Sequence, residues 1–299
     1  MATKLVHSFQ PCTWLDAENV KNKSLGFIRV SQRTKDKQGI QTFMTMRSNT
    51  RASARHKPFA LKISSSLNNT RGSVKESGGF PASRDESMVL KNKSRKIEPY
   101  LNGRCIYLVG MMGSGKTTIG RLLSEALDYS FLDCDVLVEE NAGGMSVAEI
   151  FKQHGEAFFR DKETEVLEKL SQMHRLVVST GGGAVIRPIN WRHMRGGISV
   201  WLNVPLECLA RRISAVGTDS RPLLHGESGD AYSKALARLE MLFEERAEAY
   251  ANATIQVSLE NIAAKLGHVD VDNITANIIA IEVLEQIESF LKKKSSSAT

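Results

Sequence analysis

Gly110, Gly115, Lys116 and Thr117, inside the run GMMGSGKT, match the spacing G-x-x-x-x-G-K-[ST]. Glycines at these positions let backbone N–H groups close around phosphate oxygens, and a helix beginning at the loop adds a fixed partial positive charge. Lys116 is expected to reach the β- and γ-phosphates of a nucleoside triphosphate. Thr117 is expected to coordinate Mg2+. Gly113, Ser114 and Thr118 complete the expected nucleotide-binding set. Asp133 and Asp135 follow, at the end of the next predicted strand. In an extended segment residues two apart point the same way, so both carboxylates are expected to face one crevice. There they can accept hydrogen bonds from hydroxyls or hold metal-bound water. Gly181, Gly182 and Gly183 form a second glycine turn that exposes consecutive backbone N–H groups. Arg160 follows two phenylalanines at a predicted helix start, and Arg246 lies inside a long predicted helix. Each could be an ordinary surface arginine. Arg221 sits in GTDSRPLLHGESGD, a polar, glycine-bearing stretch suited to a mobile lid over about 216–230.

The elements that must hold these residues alternate. Predicted strands lie at 104–109, 130–134, 175–180, 198–204 and 254–257. Predicted helices lie at 116–127, 156–171, 206–215 and 230–251. A last helix is expected to be capped by Asp272, with a stripe of Ile274, Ile278, Ile281, Leu284, Ile287 and Leu291. Strands separated by helices imply a three-layer α/β/α domain around a central, parallel, five-stranded sheet. The glycine-rich loop then sits between strand and helix, which is the setting it requires.

Charge divides the chain of 299 residues. Residues 1–96 hold 19 Lys/Arg against 6 Asp/Glu, and residues 97–299 hold 21 against 27. The basic excess belongs to the leader, so it gives no argument for nucleic acid as a partner of the rest. The leader is rich in Ser, Thr, Lys and Arg, and its only acids before Lys75 are Asp16, Glu18 and Asp36. It reads as an organelle transit peptide over 1–65, with plastid favoured, followed by a polar linker over 66–98 and the α/β domain over 99–299. No apolar run is long enough for a membrane span. Four cysteines, Cys12, Cys105, Cys134 and Cys208, form no C-x-x-C pair, and no disulfide framework or zinc site is expected.

The set of motifs resembles the shikimate kinases. FLDCD is similar to that family's F-x-D-x-D, and GEAFFRDKE to its G-E-x-x-F-R-x-x-E. STGGG, RPLL and ERAEAY match in the same order. The basic leader makes the chain similar to the plant chloroplast form, with the stroma as the expected location. The resemblance implies a P-loop nucleoside monophosphate kinase-like fold. It implies transfer of the γ-phosphoryl group of ATP to the 3-hydroxyl of shikimate, with Mg2+, on the way to chorismate and the aromatic amino acids. It places substrate contacts on Asp135, Arg160, Gly182 and Arg246, and an ATP-covering arginine on Arg221. Asp133 matches the acid near the magnesium, Glu163 an acid behind the substrate arginine, and Arg212 an arginine that packs on adenine. The bare chemistry agrees. Two guanidinium forks suit a carboxylate, and Asp135 is placed to accept a hydroxyl proton. Lys116, Asp135 and Arg221 are the expected catalytic groups. Two alternatives are a catalytically silent binding relative and another small-molecule kinase of the same fold. A GTPase would need N-K-x-D, which does not occur.

Overall fold

Strands that read IYLV, LVVS and ISVWLN have no polar face to offer, so they belong in a sheet covered on both sides. A computed structural model, which describes residues 84–216 and 230–296, builds that sheet. Its strands are β1 (Ile106–Val109), β2 (Ser130–Asp133), β3 (Leu176–Ser179), β4 (Ile198–Asn203) and β5 (Ile255–Ser258). They lie in the order β2-β3-β1-β4-β5, with all neighbours parallel. The described helices are α1 (Arg84–Leu101), α2 (Lys116–Leu127), α3 (Cys134–Asn141), α4 (Val147–Leu170), α5 (Pro188–Met194), α6 (Leu206–Val216), α7 (Ala231–Tyr250), α8 (Leu259–Leu266) and α9 (Ala276–Ser296). They flank the sheet in the expected three-layer arrangement.

Connections leave β1 and β3 in opposite directions. From β1 the chain crosses to β2, whereas from β3 it crosses back past β1 to β4. Adjacent strands that part in this way open a crevice beyond their carboxyl ends, where ligands bind in open α/β sheets. The two glycine turns, after β1 and after β3, stand on either side of it.

Several expectations need correction. The second strand stops at Asp133, and Cys134 and Asp135 open α3. Asp133 is the N-cap of that helix, its carboxylate accepting from the Asp135 N–H at 3.1 Å. Both carboxylates still face the crevice, but helix capping sets their direction rather than strand alternation. The predicted helix at 156 is the second half of α4. Its first half is closed at the N-terminus by a capping box between Ser146 and Glu149. Gly155 breaks the helix with φ 81° and ψ 171°.

Residues 84–98 are not a linker. They belong to α1, whose Leu90, Ser94, Ile97 and Leu101 are buried. Ser94 donates to the Ala126 carbonyl at the end of α2, at 2.6 Å. Glu86 accepts from Thr275 at 2.7 Å, just ahead of α9. Asp272 does not cap α9. It lies in a 3-10 turn over Val271–Asn273, and Thr275 Oγ1 accepts from the Ile278 N–H at 3.2 Å instead. The buried face of α9 is broader than the predicted stripe. It takes in Asn277, Ile279, Ala280 and Val283 beside Leu284, Ile287 and Leu291, while Ile278 and Ile281 are half-buried. Residues 1–83, and the lid over 216–230 with Arg221 apart from its two end residues, lie outside the described residues.

Candidate active site

Gly110 leaves β1 with φ 150°, and Gly113 and Gly115 follow at φ 80° and 88°. A Cβ on Gly110 would stand 2.8 Å from the Leu202 carbonyl, so backbone crowding as well as phosphate access demands glycine there. The loop ends at the first residue of α2. Lys116 is buried, and its ammonium donates to the carbonyls of Gly110 and Met111 at 2.8 and 2.9 Å. The side chain thus curls over its own loop, with its charge at the mouth of the anion cradle. Thr117 donates to Asp133 Oδ2 at 3.0 Å, which joins the start of α2 to the start of α3.

Across the crevice, α4 supplies the first arginine. The bend at Gly155 restarts the helix, and one turn later Arg160 points inward. Its Nη1 donates to Glu163 Oε2 at 2.8 Å, and its Nε and Nη2 donate to Glu156 Oε1 at 3.2 and 3.0 Å. Burial works against the guanidinium charge, but the Glu163 and Glu156 carboxylates more than offset it. Glu163 is fully buried, and burial raises its own pKa although Arg160 pulls it down. Arg246 comes from α7 and is 3% exposed, with its Nε lacking a hydrogen-bond partner. Burial, and then the Arg160 charge nearby, lower its pKa. Arg160 has its carboxylates, so it is the buried Arg246 that calls for an anion beside it.

Asp135 completes the wall. Burial pushes its carboxyl up to about 7, with Glu163 and Asp133 adding to the rise and Lys116 and Arg160 opposing it. Its Oδ1 has no hydrogen-bond partner. The turn after β3 must be glycine for this packing. A Cβ on Gly181 would collide with the Glu163 and Asp135 carboxylates, and one on Gly183 with the Arg160 guanidinium.

One cleft of about 910 Å³ joins these groups. Gly113–Thr118, Asp133, Asp135, Arg160, Gly181–Gly183 and Arg246 all line it. Of the described residues expected from sequence, only Gly110 and Glu163, which pairs with Arg160 instead, are not on its wall. Gly110 shapes the loop from behind, and Arg221 is outside the described residues. Arg212 reaches the cleft, held by the Gly113 carbonyl and Asp272, each at 3.4 Å. Sequence reasoning missed Phe151, Phe159, Ile274 and Ile279 as wall residues. The capping box at Ser146 was the available signal for the helix that carries Phe151.

A family model described as "Shikimate kinase" matches residues 112–288. A tomato (Solanum lycopersicum) protein named shikimate kinase, chloroplastic, is 55% identical over 99% of this chain and 99% of its own length. The chain belongs to the shikimate kinase family. The Arabidopsis thaliana chloroplastic shikimate kinase 1 is 51% identical over 98% of this chain and 97% of its own. Among solved structures, a shikimate kinase from Acinetobacter baumannii in complex with shikimate is 33% identical, with a TM-score of 0.54. That match covers 66% of this chain and 97% of the bacterial one. About a third of this chain lies outside that match.

Proposed function

We propose that this chain transfers the γ-phosphoryl group of ATP to the 3-hydroxyl of shikimate in the chloroplast. The observation that carries the reading is that a P-loop and two buried arginines open onto the same cleft. A phosphate cradle faces a cationic wall, as a reaction between a nucleoside triphosphate and a small carboxylate requires. Family membership selects shikimate, which carries one carboxylate and three hydroxyls.

In this reading Gly110–Thr118 hold the triphosphate, with Lys116 on the β- and γ-phosphates. Arg160 and Arg246 take the shikimate carboxylate, helped by backbone N–H groups around Gly182. Asp135 accepts from the ring hydroxyls and takes the proton of the attacking one. Arg221 covers the phosphates from the lid. Transfer then rests on positioning and charge neutralisation more than on covalent chemistry by the protein. The residues beside the P-loop also suit Mg2+. Thr117 Oγ1 and the Asp133 carboxylate are hard oxygen donors 3.0 Å apart. Thr117 would hold the ion and Asp133 would reach it through water. Bound there, it would neutralise charge on the β- and γ-phosphates.

A silent binding relative is not favoured, since the charged groups of the cleft are all in place among the described residues. Location follows from the relatives of nearly equal length, which are chloroplast proteins by name. Residues 1–65 are proposed as the transit peptide. None of the described helices is long and apolar enough to cross a membrane. The deciding experiment is ADP release by the full chain with MgATP, measured with and without shikimate. Release that depends on shikimate is expected. A folded protein that releases ADP at the same rate in both conditions would overturn the proposal.

A further inference from the structure

The roles assigned above use Arg246 and the turn at Gly182 but not the phenol that lies between them. Tyr250 closes α7 four residues after Arg246, so the two side chains leave the same face of the helix. Its side chain is wholly buried. The hydroxyl donates to the Gly182 carbonyl at 2.6 Å and lies 3.4 Å from Met111 Sδ. The Arg246 guanidinium lies near the same phenol, one turn back on α7, and its charge works against the rise in the phenol's pKa that burial causes. A phenol has one hydrogen and two lone pairs. Here the hydrogen goes to the Gly182 carbonyl. One hydroxyl thus ties the glycine turn to the helix that carries Arg246, the two parts of the wall that meet the substrate carboxylate.

The ring itself is fixed. It stacks on Trp201 with centroids 5.5 Å apart and planes 12° from parallel. Trp201 is a residue of β4, in register with Val109 of β1 at the last position before the P-loop. The phenol is therefore tied to the centre of the sheet. The Gly181 and Gly183 carbonyls accept from the Ala184 and Ile186 N–H groups at 3.1 Å each, so what the phenol restrains is the carbonyl between them, in a glycine run with no side chains to limit its dihedrals. A peptide unit moves as one plane, with its carbonyl and the next N–H on opposite edges. Holding the Gly182 carbonyl sets the direction of the Gly183 N–H as well.

We propose that Tyr250 is a positioning residue for shikimate, whose hydroxyl locks the Gly182 peptide beside the Arg246 guanidinium so that both meet the substrate carboxylate together. This rests on the function proposed above. The group does not touch substrate. It acts by sparing the substrate the cost of ordering its own site, which is how preorganisation raises affinity.

Tyr250→Phe tests it, since the ring and its stack on Trp201 are kept and one oxygen is lost. The KM for shikimate is expected to rise about fivefold to tenfold, the equivalent of one buried hydrogen bond. The KM for ATP should stay within about twofold, because the P-loop keeps its own contacts. A double-mutant cycle gives a readout that a packing role would not move. In an Arg246→Lys background, Tyr250→Phe should cost clearly less than it does alone, because the two residues serve one contact with the carboxylate. Unchanged shikimate KM, equal losses for both substrates, or fully additive effects in the cycle would each overturn the inference. If the wild-type chain shows no shikimate-dependent turnover, the functional proposal itself has failed. A wild-type enzyme that works, with a Tyr250→Phe variant that matches it, removes only the role of Tyr250.

Discussion

Replacing Lys116 by Met is expected to lower kcat about a hundredfold to a thousandfold, the usual loss when a charge aimed at the transferring group is removed. Lys116 is buried at the mouth of the loop, with its ammonium on the Gly110 and Met111 carbonyls. Methionine keeps the length and apolar stem but brings no charge, so the start of α2 stays filled. The effect should fall mainly on turnover, with the variant folded by circular dichroism. Turnover within a few-fold of wild type would exclude Lys116 from the phosphate site.

Asp135→Asn is expected to cost about 10²–10⁴ in kcat if the carboxylate takes the hydroxyl proton. The wild-type pH profile supplies the companion observation. Only the ionised carboxylate can accept a proton, and Asp135 titrates at about 7. The kcat/KM for shikimate should therefore fall as pH drops through that value, and the limb should vanish in the variant. Loss of shikimate affinity with kcat retained would make Asp135 an orienting acceptor only. Stability should move the other way. The folded-state pKa lies above the unfolded value, so between about pH 4 and 7 the native state holds a proton that the unfolded chain has released. Stability contributed by the neutral form is lost as pH rises through 7. At pH 8 the Asn variant should melt above the wild type.

Much of this site could be read from residue order alone, for a physical reason. A P-loop, a strand-end acid and a glycine turn are local structures, each fixed by a few neighbouring residues. Arg246 was harder to assign. Nothing local separates it from Arg238 on the same helix, and only the assembled fold around the cleft buries it. The second strand failed at its end because D-C-D was read as extended. An aspartate ahead of an apolar stretch is equally an N-cap, and Asp133 takes that role. The first helix was missed because its apolar positions, Leu90, Ile97 and Leu101, are diluted by lysines and arginines on the outer face. Its partners, α9 and the end of α2, lie far along the chain or beyond a strand. Periodicity in so polar a segment becomes legible only when the surface that receives it is known.

The burial of α1 sets a limit on maturation. Each apolar side chain it places in the core is worth about 1.5–3 kcal/mol, and a domain's whole margin is commonly about 5–15 kcal/mol. A stromal peptidase that cut within α1 would strip Leu90, and with a later cut Ile97, from the surface of α9. It would leave an enzyme that unfolds at a modest rise in temperature. The border between the proposed transit peptide and the enzyme is then expected upstream of Arg84, well before the family match begins at residue 112. Amino-terminal sequencing of the protein recovered from chloroplasts should find a first residue before Arg84, and a start inside the helix would contradict this. Selection on the leader would act on import alone as far as that border. Beyond it, every substitution would also be weighed by the heat tolerance of the kinase.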